Sequence, residues 1–320
     1  MAIKLKTLYD EVIKKGIEAD PRNKKEVERS LKERKEQYGK LSKNDKELFD
    51  QDSLFNPFSD TRILWGDPDS QITSMIVGID VGGEELLLVD SLKNKGKKID
   101  LVVSHHPQGF AYANFYEVMD LQVDIFTQKG VSLSLAENLL QERKAQVERR
   151  IAAANHQRAI DFARWLSINF MCMHTPCDNL AYRYIEKMIH QRKPRTLQEV
   201  LDSLIDIPEY RDAAKQNNPP KIFIGSKTAK VSKVHIEFTG GTEGPHAIYD
   251  KLSQEGIDTI IAMHQSEEHY KKCKEAHINV VVASHIASDN LGVNLMLDYL
   301  ESKKKITIHE FSGFRRFTHK

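Results

Sequence analysis

Cysteine is scarce. The 320 residues hold three, Cys172, Cys177 and Cys273, an odd number without C-x-x-C spacing. That pattern excludes a disulfide framework and points to a reducing compartment. Long apolar runs are missing too: none approaches the roughly eighteen residues a membrane-spanning helix needs. The stretch from Met1 to Gly16 carries Lys4, Lys6, Asp10, Glu11, Lys14 and Lys15 and offers no apolar core for a signal peptide. A cytoplasmic protein without a membrane partner is expected. Net charge is almost absent, with 47 Lys and Arg against 46 Asp and Glu. This removes any global electrostatic case for binding nucleic acid. What remains, 40% hydrophobic and 29% charged residues, describes a globular protein. Its length exceeds one comfortable core, so two domains are expected.

The N-terminal part is rich in Lys and Glu. Leu5, Leu8, Val12, Ile13 and Ile17 recur at helical spacing up to a break at Asp20-Pro21, and further helices are expected from Asn23 to about Tyr38 and from Asn44 to Phe49. The apolar stripe is too thin to make a core alone, so residues 1–55 read as a helical extension packed on a body. Apolar strands then alternate with helices: strands at 74–80, 99–104 and 168–173, a helix at 83–95 and one long helix over about 136–166. After a Pro- and Asn-rich junction the alternation resumes, with strands at 231–238, 259–263, 278–284 and 304–311 and helices at 245–255, 266–276 and 289–300. The pattern predicts an α/β protein whose sheets are covered on both faces, with a first α/β domain at 56–193 and a second at 194–320.

Three strand ends carry candidate chemistry. Ser104-His105-His106-Pro107 follows the strand at 99–104. Adjacent strand residues face opposite ways, so both imidazoles serve one site only if the chain leaves the strand, and Pro107 makes it leave. His174-Thr175-Pro176-Cys177-Asp178 follows the strand at 168–173. His285-Ile286-Ala287-Ser288-Asp289 follows Val280-Val281-Val282, and one helical turn would bring His285 and Asp289 to the same side. Each motif alone also reads as ordinary structure: a core and a surface histidine, an Asp178 helix cap, a Ser288 cap with Asp289 on the helix dipole. Their recurrence favours a metal site. Mixed imidazole and carboxylate donors suit divalent Zn, Mn or Fe. Two such ions about 3.5–4 Å apart acidify a bridging water and support hydrolysis.

In this order the motifs resemble the Nif-three-like family, whose members are often described as GTP cyclohydrolase I type 2 and bind a dinuclear metal centre. The likeness covers about residues 60–315 and includes the Gly-rich turn Gly240-Gly241-Thr242-Glu243-Gly244. It implies two α/β domains of Nif-three-like type with a metal site in the cleft between them. It implies two divalent ions held by His105, His106, Asp178, His285 and Asp289, a small, nucleotide-like substrate, and a homo-oligomer, commonly a ring-shaped hexamer. The chain departs from the family pattern at Asp289, where Glu is usual, and at Ser284, where Gly is usual. A third departure, Met263-His264-Gln265, puts His264 near the cleft. By position, His174 or His264 would be the general acid or base.

Other readings carry less. Gly78-Ile79-Asp80-Val81-Gly82-Gly83 has the flavour of an actin-like kinase phosphate loop, but Glu84 and Glu85 follow it. Gly225-Ser226-Lys227-Thr228 lacks the leading half of a P-loop. A metal-dependent hydrolase is therefore the leading expectation, and a non-catalytic metal-binding oligomeric scaffold, suggested by residues 1–55, is the alternative.

Overall fold

A computed structural model describes residues 2–319. The chain opens with strand β1 (Ile3–Lys4) and helices α1 (Leu5–Ala19), α2 (Lys24–Lys40) and α3 (Lys43–Leu48). Then come β2 (Arg62–Trp65), β3 (Gln71–Ile72), β4 (Ser74–Gly78), α4 (Gly83–Asn94), β5 (Leu101–Ser104), α5 (Gly109–Ala113), α6 (Leu121–Gln128), α7 (Leu133–Ile151), α8 (Arg158–Trp165), β6 (Phe170–Cys172) and α9 (Thr175–Arg192). The remainder is α10 (Leu197–Ile205), α11 (Pro208–Lys215), β7 (Lys221–Ile224), β8 (Val234–Glu237), α12 (Ile248–Gln254), β9 (Thr259–Ala262), α13 (Glu267–Glu275), β10 (Asn279–Val282), α14 (His285–Lys303) and β11 (Thr307–Glu310).

Two sheets of one design result. The first has strand order β11-β4-β5-β6-β2 and the second β7-β10-β9-β8. Each is parallel except for one antiparallel edge strand, β2 in the first and β7 in the second. Side chains alternate across the pleat. Met75 and Val77 of β4 face α1, α9 and α14, whereas Ile76 faces α4 and α8. In the second sheet Ile261 and Val281 face α9, α10 and α14, and Ile260 and Val280 face α12 and α13. Helices α9 and α14 thus lie between the two sheets and bury residues toward both. The α/β architecture with two similar sheets matches the expectation.

Several local readings change. The expected helix over 136–166 is two helices, because Asn155 closes a turn by accepting the Gln157 N–H at 3.2 Å. Helix α14 starts at His285, earlier than the expected 289, and α9 starts at Thr175, so Ser288 and Asp178 both lie inside their helices and neither is a cap. The last strand, inside the stretch expected to form the second domain, pairs with β4 of the first sheet. There it covers β4 and becomes the edge strand of that sheet itself. The N-terminal segment is also more than an extension: Leu5, Leu8, Tyr9, Val12 and Ile13 are buried in the same core as β4, β5 and α14. Of α2, only Val27 is buried.

That contrast makes one glycine expendable. Gly39 sits in α2 with nothing within 4 Å of the position a Cβ would take. Gly39→Ala should raise stability by about 0.5 kcal/mol, since glycine loses more backbone freedom in a helix, and a shifted urea midpoint at unchanged slope reads the gain.

Candidate metal centre

The C-terminal ends of β4, β5 and β6 in one sheet and of β8, β9 and β10 in the other meet at one cleft, where open α/β sheets place their ligands. The chain does leave β5 at Ser104: the His105 and His106 N–H groups donate to the carbonyls of Gly78 and Ile79 at 2.9 and 3.0 Å. Both rings consequently reach the same site. His174 precedes α9 directly and His285 opens α14, each with Asp four residues on. Two identical His-x-x-x-Asp starts on two packed helices therefore deliver Asp178 and Asp289, and a helix N-terminus favours both carboxylates.

The distances describe a convergent cluster. His105 Nε2 lies 3.4 Å from Asp178 Oδ1 and 3.5 Å from Asp289 Oδ1. Asp289 Oδ2 is 3.4 Å from His106 Nε2 and 3.6 Å from His285 Nε2. His174 Nε2 is 3.7 Å from Asp178 Oδ2. All four rings present Nε2 to the centre. Three Nδ1 atoms are held from behind, His105 by the Met173 carbonyl at 3.1 Å, His106 by Asp80 at 2.7 Å and His174 by Asp60 at 2.8 Å. Backing of this kind fixes the ring orientation of metal-binding histidines. Three sets of donors lie within 4.8 Å of one another: His105, His106 and His174; His106, His285 and Asp289; His105, Asp178 and Asp289. The shorter Asp289 thus stands among three imidazoles.

The donor set fits a divalent cation. His105 Nε2, Asp178 Oδ1 and Asp289 Oδ2 are buried without a hydrogen-bond partner, an arrangement that costs free energy unless something further pairs them. Burial would push the Asp289 carboxyl up, yet His105, His106 and His285 hold it well below the usual carboxylate range. Burial would lower His106, but Asp289 and Asp80 raise it to about 9. Asp289 likewise raises His105 against burial, whereas burial lowers His285, so protons on His105 and His106 oppose the carboxylates and a bound cation would replace them. Burial pushes the Cys177 thiol up against the influence of His105, which makes it a packing residue rather than a thiolate ligand.

All seven residues singled out in the sequence lie at or beside this cleft. His105, His106, Asp178, His285 and Asp289 form the cluster. His174, read as an acid or base, stands among the donors. His264 stands outside the three sets, half-exposed, its ring centroid 4.8 Å from that of His285. Ser284, where the family has Gly, holds a left-handed φ of 82°, a conformation that costs a residue with a Cβ and is met at functional sites. The kinase reading fails structurally: Glu85 accepts the Gly82 N–H at 2.7 Å and occupies the helix N-terminus a phosphate would need. The sequence reading missed Asp60. It is fully buried and also accepts the Thr175 hydroxyl at 2.6 Å, and no motif marks it.

A cavity runs from the cluster along the second sheet, lined by Gln122, Phe126, His235, Glu237, Glu243 and His264 among others, with no Lys or Arg among its described lining residues. Burial lowers His235 to about 3, aided by Lys129, and raises Glu237 to about 8, aided by Glu243. The raised Glu237 binds its proton more tightly in the folded chain, so its stabilising contribution is complete below about 4.5 and lost as pH rises to about 8. His235 acts oppositely, costing stability as pH falls from about 6.5 to about 3. Glu237→Gln should therefore gain thermal stability relative to wild type between pH 5 and 8 and gain no more above it, as melting curves across pH would record.

No family model and no curated protein matches the sequence. Among solved structures, a NIF3 superfamily protein from Sphaerobacter thermophilus is 27% identical and superposes over 80% of this chain and 91% of its own at a TM-score of 0.71. Reduced HcgD from Methanocaldococcus jannaschii is 13% identical over 78% of this chain and 88% of its own, at a TM-score of 0.47. A Bacillus cereus protein related to NIF3 is 12% identical over 79% and 89%, at 0.40. No described helix is long and apolar enough to cross a membrane.

Proposed function

We propose that this chain, which is a divergent member of the NIF3 superfamily, binds two divalent ions (Zn, Mn or Fe) in the cleft and hydrolyses a small molecule beside them. The observation that carries the reading is the convergence of four imidazole Nε2 atoms and two carboxylates on one buried spot, with three of those atoms left unpaired. His105, His106, Asp178, His285 and Asp289 would hold the ions, and His174, beside His105 and His106, would stay off them as the acid or base. Ions bound there would supply Lewis acidity and acidify water.

The chain's own groups do the rest. Asp60 orients His174 so that Nε2 faces the cleft and can hold a proton there. His264, at the more open side beside His285, is placed to exchange protons with solvent. Of the nucleotide-like substrates the family resemblance implies, the part of the cavity beyond the ligand cluster supports a heterocycle, since Glu237 and Glu243 line it without a Lys or Arg, and only the ions would meet a phosphate. The homo-oligomer also belongs to this proposal. Adjoining helices α4 and α8 expose Leu87, Leu88 and Trp165, apolar surface that a second copy would cover, and sedimentation checks this.

The test is metal content per chain by elemental mass spectrometry, on untagged protein purified without chelator. Close to two ions per chain, lost in Asp178→Asn and in His285→Ala with the fold retained, supports the proposal. No metal after reconstitution with Zn, Mn or Fe overturns it. Full metal with no turnover across a hydrolase screen favours a metal-binding scaffold instead. Deleting residues 1–50 would not separate these readings, because α1 belongs to the core.

A further inference from the structure

One part of the cavity has no role in holding metal. Gln122, on α6, donates both amide hydrogens, to the carbonyls of Gly240 and Thr242 at 2.8 Å each. This fixes the orientation of the amide and leaves Oε1 buried without a donor. The Gly-rich turn makes room for it: a Cβ at Gly240 would stand 2.6 Å from Gln122 Cγ, and one at Gly244 would stand 2.7 Å from Oε1. Glu237, at the end of β8, accepts the Tyr249 hydroxyl on Oε2 at 3.2 Å. Its Oε1 has only His235 Nε2, at 3.6 Å, beyond hydrogen-bond distance. Both side chains line the cavity that holds His174, Asp178, His285 and Asp289.

We infer that Glu237 and Gln122 form the specificity site of the hydrolase proposed above, and that it takes an uncharged amide, a lactam or primary amide, whose C=O accepts from the Glu237 carboxyl and whose N–H donates to Gln122 Oε1. The chemistry requires Glu237 to keep its proton. Burial pushes its carboxyl up to about 8, Glu243 adds to this, and the Tyr249 hydrogen bond opposes it. The other titratable groups around it are His235 on its own strand, Cys273 on α13, and Lys129 after α6, which acts on His235. An anionic ligand at this end of the cavity would meet Glu237 and Glu243 without a lining Lys or Arg. A site built to pair a polar group rejects analogues that lack it.

The probes are 2-pyrrolidinone and inorganic phosphate, titrated into the full chain with its metal content measured, and binding is followed by nuclear magnetic resonance. The lactam should bind at pH 6.5 and at least about fivefold more weakly at pH 9, where the carboxyl has lost its proton. Glu237→Gln should bind within about threefold of wild type with the pH dependence gone, because its amide still donates. Glu237→Leu and Gln122→Leu should each lose about tenfold, the cost of an unmatched buried hydrogen bond. Two Leu variants guard against one failing to fold. Phosphate binding while the lactam does not, or Gln behaving as Leu at 237, overturns the inference. Binding is read without turnover, so an inactive but lactam-binding, metal-loaded protein sinks the hydrolase reading alone.

Discussion

Asp289→Asn is expected to strip the cleft of metal while leaving the fold in place. Asn matches Asp in shape, so packing inside α14 is undisturbed, but the charge that faces His105, His106 and His285 disappears. Asp289 belongs to two of the three donor sets, so losing it weakens both at once. Removing a group that merely backs a ligand typically costs 10–100-fold in affinity, and loss of this shared ligand should cost more than about 100-fold. Asp80→Asn gives the scale, since it disturbs only the acceptor behind His106 and should fall within that range. Elemental analysis after dialysis, with a circular dichroism spectrum on the same sample, reads both quantities. Full occupancy in Asp289→Asn would show that the carboxylate is not a ligand.

A single methyl group at Gly292 should do comparable damage from outside the site. Helices α9 and α14 make the most extensive helix–helix contact among the described residues, and within it Gly292 lies on the backbone of Cys177. A Cβ there would collide with the Cys177 carbonyl oxygen and stand 2.8 Å from its carbon. Backbone cannot rotate away as a side chain can, so the helices must separate. Overpacking costs about 1–3 kcal/mol in general, and Gly292→Ala should lie at the upper end, lowering the melting midpoint by roughly 5–10 °C. Cys177 adjoins Asp178, and Gly292 is three residues from Asp289. The same separation should pull the two carboxylates apart and reduce metal occupancy. An unchanged melting midpoint would mean that the contact yields more easily than the geometry allows.

The parts of this molecule that were legible in the sequence share a physical cause. Strands such as Ser74–Gly78 and Leu101–Ser104 are buried on both faces and therefore stand out as apolar runs. The candidate ligands were legible because each follows directly on such a strand. What escaped depends on contacts between distant residues. β2 hides because its first residue, Arg62, is fully buried, its charge met by Asp50 at 2.6 Å and its guanidinium donating to the Thr61 carbonyl. Asp60 has a role only because the fold sets it against His174. The membership of β11 in the first sheet could not be read, since a short strand says nothing about which edge it will join. The resemblance carried the family where composition and spacing alone stopped at an α/β protein with histidines at its strand ends.

The pairing of β11 with β4 also sets a timetable. During synthesis His105, His106, His174 and Asp178 leave the ribosome well before α14, which brings His285 and Asp289, and β11, which adds the last strand beside β4. Until those last residues emerge, the early donors have no Asp289 opposite them and the sheet that positions them lacks a strand. A complete centre therefore forms only once α14 has emerged, although His105, His106 and His174, one of the three donor sets, precede it, and a polypeptide cut short before α14 would hold that set and Asp178 but neither set that contains Asp289.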